Sequence, residues 1–277
     1  MNTILVPTDF SETAKNASLY AVNLAKQLNS KKIVLYNAYQ QPVATDANMT
    51  PLELMDFDEL KRISDTGLDH AKNYLQPYGS AEIEIATLSE YTTLTSNIND
   101  VCVDNKIDII VVGVTGGGPL EETLIGSNAV NVAKHAIVPV IVVPPGTSFT
   151  TITKVVLACD FKKVIETLPA APIKQLLNET KAKLFVLNID HAQKNFSPET
   201  PYESLMLDNL LYGYNPEYCF MDNTDFIEGI NQFASEKQVD LIITIPKKHG
   251  FFERLFKPSH TKQLAFHSHV PLMVVHD

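Results

Sequence analysis

The sequence predicts an α/β protein built from two copies of one doubly wound unit. Three observations predict it. Short β-branched runs alternate with stretches of helical periodicity, the pattern of parallel βαβ units. Residues 108–145 align without a gap on residues 240–277, with eleven of 38 columns identical. An apolar run ending in Asp-Phe occurs twice, at Asp9-Phe10 and Asp160-Phe161.

Thr3–Pro7 is an apolar run that enters a Pro-Thr-Asp turn, and reads as a buried strand. Ala14, Ala17, Ala21, Leu24, Ala25 and Leu28 then fall on one helical face, with Ser11 placed to cap it. Ile33–Tyr36 follows as a second strand, which completes a βαβ crossover and so a parallel pair. Gln40–Asp58 is polar and Pro-containing, and reads as a loop. Leu60–Leu75 has helical spacing, and Glu82–Leu88 alternates as a half-exposed strand near a sheet edge does. Thr92–Asn105 is helical, Ile107–Gly113 is a central strand, Ser127–Ala136 a short helix and Val138–Val143 a buried strand. Pro144–Thr150 reads as a linker, and Lys154–Asp160 restarts the pattern. The expected division is residues 1–147 and 148–277. Each unit has its own sheet, and the two pair about a pseudo-two-fold axis through 138–143 and 270–275. The second copy carries an irregular region over His191–Tyr218.

Composition excludes several classes. The 22 Lys+Arg against 32 Asp+Glu leave a formal charge of −10, which argues against binding nucleic acid or an anionic membrane surface. No run reaches the roughly 18 apolar residues of a membrane helix. The first residues have neither the basic flank nor the apolar stretch of a secretory signal. Cys102, Cys159 and Cys219 are odd in number and scattered, so neither a disulfide framework nor a zinc site is expected, and a reducing cytoplasm fits.

The chemistry concentrates after the strand ending at Gly113. Gly113, Val114, Thr115, Gly116, Gly117 and Gly118 precede Gly126, Ser127 and Asn128 at the start of a helix. Glycines let a backbone approach a ligand closely, and free N–H groups at a helix start attract anions. One glycine would be read as a tight turn; five with a Ser-Asn pair point to a phosphate-type site. The loop matches neither GxxxxGK[ST] nor a GxGxxG after the first strand.

The spacing Gly113-x2-Gly116-x9-Gly126-Ser127, with the opening ILVPTDFSETAKNA and the closing VPVIVVPP, resembles the universal stress protein family as a tandem pair. That resemblance implies a five-stranded parallel sheet of order 3-2-1-4-5 in each copy, Rossmann-like. It implies ATP or another adenine nucleotide at the ends of strands 1, 2 and 4. Asp9, preceded by Pro7 and Thr8, matches the acidic position beside adenine and ribose. Ala38 falls where the second strand offers backbone to the base. Gly113, Thr115, Gly116, Gly126, Ser127 and Asn128 fall in the ribose-phosphate segment. Asp9 also reads as a turn or capping residue. Glu121 and Glu122 lie close by, where the family often has Arg or Lys; they would repel phosphate unless Mg²⁺ or their orientation offsets it.

The second copy has Ile245, Lys248 and Pro258 in place of Gly113, Gly116 and Gly126 and keeps Ser259, so no nucleotide is expected there. Lys247–Phe252 reads as a solvated basic turn with aromatic packing, the alternative being a site for some other anion or partner. His260, His267, His269 and His276 have no Cys or close carboxylate except Asp277, and no metal site is expected. Neither GxSxG nor HExxH occurs. The expected function is therefore regulatory: a cytoplasmic stress or signalling protein that binds ATP. The alternatives are an interaction module with a non-functional nucleotide site and a slow ATPase. The expected partners are an adenine nucleotide and a protein of unknown identity, and the chain is expected as a monomer with an internal pseudo-dimer or as a homodimer.

Overall fold

The computed structural model describes residues 1–41, 56–114, 127–190, 198–246 and 270–276. In chain order the first half comprises β1 (Thr3–Pro7), α1 (Glu12–Leu28), β2 (Lys32–Tyr39), α2 (Phe57–Leu75), β3 (Glu84–Tyr91), α3 (Leu94–Asp104), β4 (Ile109–Gly113), α4 (Ser127–His135) and β5 (Val140–Val143). The second half comprises β6 (Lys154–Ala158), α5 (Val164–Thr167), α6 (Ala170–Thr180), β7 (Lys183–Ile189), α7 (Thr200–Leu210), β8 (Glu217–Met221), α8 (Phe226–Lys237), β9 (Leu241–Thr244) and β10 (Leu272–Val274).

The strand order is β3-β2-β1-β4-β5-β10-β9-β6-β7-β8, so each half has the order 3-2-1-4-5. The last strands meet as expected, but the expectation of two separate sheets is overturned. β5 and β10 pair antiparallel and fuse the halves into one ten-stranded sheet. Met273 lies opposite Ile141, its own equivalent in the repeat, which places the pseudo-two-fold axis between them. The physical reason is that each last strand, buried on both faces, still has a free row of backbone groups on one edge; pairing with its copy satisfies both rows.

The repeat is visible in register. β4 pairs with β5 through Ile110 and Val140, and β9 with β10 through Ile242 and Leu272. Asp108 accepts from the backbone N–H groups of Asn2 and Thr3 at 2.6 and 3.0 Å; Asp240 accepts from those of Thr153 and Lys154 at 2.8 and 2.9 Å. The identical Asp column thus tethers the start of the first strand in each half. Equivalent residues are 151 apart through the first two strands (Thr3 and Lys154, Lys32 and Lys183). They are 131 apart at the third (Ala86 and Glu217, which face Val34 and Phe185). The first half therefore carries the extra chain between its second and third strands, where α2 has 19 residues against 11 in α7.

α1 starts where Ser11 accepts from the Ala14 N–H and ends at Asn29, in the left-handed region at φ 54°. Four of the nine residues on its buried face are alanine, which seats the helix close to the sheet. On that same face the apolar core runs unbroken through both halves, from Ile4 and Leu24 to Val155, Ile173 and Leu207. The opposite face is divided between two clusters. The expected linker is seated on α1: Phe149 meets Tyr20 edge-on at 5.1 Å, and the Gln27 amide both donates to and accepts from the Ile152 backbone.

Two element expectations are corrected. The expected loop 40–58 runs into α2, which begins at Phe57; residues 42–55 of it lie outside the described residues. The expected irregular region 191–218 contains α7, whose proline at the first turn costs no helical hydrogen bond, and the start of β8. Cys102, Cys159 and Cys219 form no disulfide. No helix among the described residues is long and apolar enough to cross a membrane.

Candidate functional site

The order 3-2-1-4-5 reverses between β1 and β4, and a doubly wound sheet opens a crevice at the carboxyl ends of the strands where its order reverses. A cleft of about 200 Å³ lies there. Pro7, Thr8, Asp9, Ala38, Gly113 and Asn128, six of the ten expected site residues, line it. Thr115, Gly116 and Gly126 lie outside the described residues, as does the side chain of Ser127, whose backbone opens α4.

The loop between β1 and α1 is held by its own polar groups. Asp9 Oδ1 accepts from the Ser11 N–H at 3.0 Å and from the Ser11 hydroxyl at 2.5 Å. The turn reading of Asp9 is therefore realised, through a bond to the residue that caps α1. Thr8 Oγ1 accepts from the Phe10 N–H at 3.0 Å. Below the loop, the buried Asn37 amide donates to the Thr8 carbonyl at 2.7 Å and its oxygen accepts from the Ser64 hydroxyl at 2.7 Å. Ser89 donates to Ser64 at 2.7 Å, which extends the chain to β3. The second half repeats the first link: Asn188 donates to the Cys159 carbonyl at 2.9 Å.

Gly113 has a specific reason to lack a side chain. A Cβ there would stand 2.4 Å from the Thr13 carbonyl oxygen and 2.8 Å from its carbon. The space is taken by the first turn of α1, so this glycine brings the helix N-terminus, with its partial positive charge, against the end of β4. In the second half the equivalent residue is Ile245, and the corresponding helix is broken into α5 and α6 at Leu168 and Pro169. Lys248, Pro258 and Ser259 lie outside the described residues, as do Lys247–Phe252, Glu121 and Glu122.

The sequence reading missed Thr13, Ala14, Tyr36, Leu94 and Ala129, which also line the cleft. Tyr36 could have been found only from its direction out of β2. Its hydroxyl donates to Glu90 Oε2 at 3.0 Å, and Asn97 donates to the same oxygen at 2.5 Å. Burial, with the Glu90 carboxylate acting in the same direction, holds the Tyr36 phenol well above its ordinary range, so it stays a neutral donor. The site thus offers a carboxylate at Asp9, an aromatic ring, strand backbone, and the N-termini of α1 and α4. That set suits a polar, partly anionic ligand with hydroxyl donors.

Of the four histidines near the end of the sequence, only His276 is described. Its Nε2 lies 2.9 Å from the Ala133 carbonyl at the end of α4, which ties the end of the second half to the first. Among the described residues, no group of three His, Cys, Asp or Glu could hold a metal ion.

The family model described as the universal stress protein family matches residues 1–144 and 215–276. Two universal stress proteins of Methanocaldococcus jannaschii are similar in sequence. One is 30% identical over 140 residues, half of this chain and 80% of the relative; the other is 28% identical over 151 residues, half of this chain and 93% of the relative. The crystal structure of a universal stress protein from Archaeoglobus fulgidus superposes with a TM-score of 0.70 at 17% identity, over 99% of this chain and 96% of the other, a likeness of fold across both halves. A family match over both halves, the shared tandem fold and the repeated 3-2-1-4-5 order place this chain in the universal stress protein family.

Proposed function

We propose that residues 1–147 form a domain that binds ATP or another adenine nucleotide, that residues 148–277 form a domain that does not, and that binding is regulatory rather than catalytic. The observation that carries this reading is the convergence of Pro7, Thr8, Asp9, Ala38, Gly113 and Asn128 on one cleft at the switch point of the sheet. Asp9 accepts from a ribose hydroxyl through Oδ2, since Oδ1 serves Ser11. Ala38 offers its backbone to the base. Thr115, Gly116, Gly126, Ser127 and Asn128 supply the phosphate end, and Mg²⁺ offsets the acidic side chains of residues 121 and 122. The protein works in the cytoplasm, as an internal pseudo-dimer.

A rival reading, an interaction module that has lost its nucleotide, is favoured by the commitment of Asp9 Oδ1 to the turn. Titration of the full chain with ATP, with and without Mg²⁺, separates them. Saturable binding at or below millimolar ATP, weakened about tenfold in Asp9→Ala, supports the nucleotide reading. No binding at millimolar ATP transfers the case to the interaction module. Steady phosphate release above that of Gly126→Pro would make the protein a slow ATPase.

A further inference from the structure

A second and larger cavity, of about 600 Å³, lies between α1 and α2 on the opposite face of the sheet from α3 and α4. Its volume falls in the usual range for small-molecule sites, roughly 300–1,000 Å³. It shares one residue, Thr8, with the cleft described above. Phe10, Ile63, Tyr74 and Leu75 supply apolar walls. Three of these are unusually open for their size: Phe10 is 41% exposed, Ile63 46% and Tyr74 37%.

Among the described residues, the equivalent ring of the second half is packed rather than open. Phe10 and Phe161 stand at equivalent positions, and both take the left-handed conformation, at φ 66° and 50°. A bulky residue rarely adopts it, so the chain turns sharply in both halves to direct this ring. Phe161 is 2% exposed and shares its core with Leu207 and Leu211 of the α7 region. Its ring stacks on Phe220 at 5.9 Å. In the first half α2 presents small residues instead. A Cβ at Gly67 would stand 2.5 Å from the tip of the Phe10 ring, and Thr66 and Ala71 flank it. The ring that fills the core of one half lines an open groove in the other.

The rim carries one cation at each end: Lys15 beside Tyr74 and Arg62 at the other end, with Glu12 the one lining carboxylate. Lys15 lies over the Tyr74 ring at 4.6 Å and 3.6 Å from Glu12; Arg62 lies 3.6 Å from Glu59. The lining residues run along α2 from Arg62 to Leu75, about 20 Å of helix at 1.5 Å per residue, which suits an extended chain better than a compact ring. We propose that this groove binds an acyl-chain carboxylate, its hydrocarbon along Phe10, Ile63 and Tyr74 and its carboxylate at Arg62, the end of the groove away from Lys15. The proposal does not depend on the nucleotide reading, since it concerns a different face.

The test uses the full chain and decanoate below its micelle concentration, followed by calorimetry and by the methyl NMR signals of Ile63. Decanoate is expected to bind saturably. Decylammonium, which has the same chain and the opposite charge, is expected to bind at least tenfold more weakly. Ala71→Phe fills the groove and is expected to abolish binding. Arg62→Glu, on an exposed side chain that folding does not need, is expected to weaken decanoate about tenfold. Absence of saturable decanoate binding, equal affinity for decylammonium, or unchanged binding in the two variants would overturn the proposal. ATP titration of the same samples keeps the two sites separate.

Discussion

The two halves of this chain have the same strand order, the same Asp tether at the first strand and the same left-handed Phe, yet they use the resulting space differently. In the first half, Gly113 lets an unbroken 17-residue α1 reach the end of β4, and Phe10 lines an open groove. In the second, Ile245 stands where the glycine was, the helix is broken into 4 and 11 residues, and Phe161 is sealed in the core. The frame is retained because backbone pairing and a few buried polar links set it. The openings depend on single side chains, and those differ.

The largest expected effect is the contrast between the two phenylalanines. Phe161→Ala removes a fully packed ring and should cost about 3–5 kcal/mol in urea unfolding, whereas Phe10→Ala should cost only about 1 kcal/mol because its ring is half in solvent. Equal losses would mean that the groove is closed in solution. Next, Gly113→Ile copies the second half into the first. Its Cβ would sit 2.4 Å from the Thr13 carbonyl, so the change should destabilise by roughly 3 kcal/mol and weaken helicity at the start of α1, read by urea unfolding and amide exchange. A neutral outcome would show that the first turn of α1 adjusts freely. Asn37→Ala leaves a buried serine hydroxyl and a carbonyl without their partner, and should cost about 2–3 kcal/mol. Asn188→Ala, with one such link and partial exposure, should cost about 1 kcal/mol. A reversed order would remove the claim that the first-half loop is the more firmly held.

Most of the frame was legible in the sequence because fully buried strands leave continuous β-branched runs, such as Ile109–Val112 and Val140–Val143. The gapless repeat disclosed the second copy. The fusion of the sheets was not legible, since an apolar strand reveals burial on its faces and not the partner at its edge. α7 was missed because Tyr, Asn and Pro dominate its neighbourhood and its Pro201 reads as a breaker, although at a first turn it is not one. At the cleft, turn residues and glycines stood out. Tyr36 and Leu94 did not, because a cleft-facing residue of a strand or helix has the same periodicity as a core residue. Gly113 was identified for approach to a ligand, whereas what it admits in the fold is the Thr13 backbone. The groove beside Phe10 could not be foreseen, because it depends on Gly67 standing opposite a ring that lies far away in the sequence.

The asymmetry itself is most directly tested by the stoichiometry of ATP binding, measured by calorimetry on the full chain and on Gly126→Pro, which copies Pro258. Proline removes a backbone N–H and introduces a ring where phosphate would lie; loss of one charge-assisted hydrogen bond costs roughly 1.5–3 kcal/mol, about ten- to a hundred-fold in affinity. The account predicts one nucleotide per chain in the parent and at least tenfold weaker binding in Gly126→Pro. Two nucleotides per chain, or unchanged binding by the variant, would contradict it.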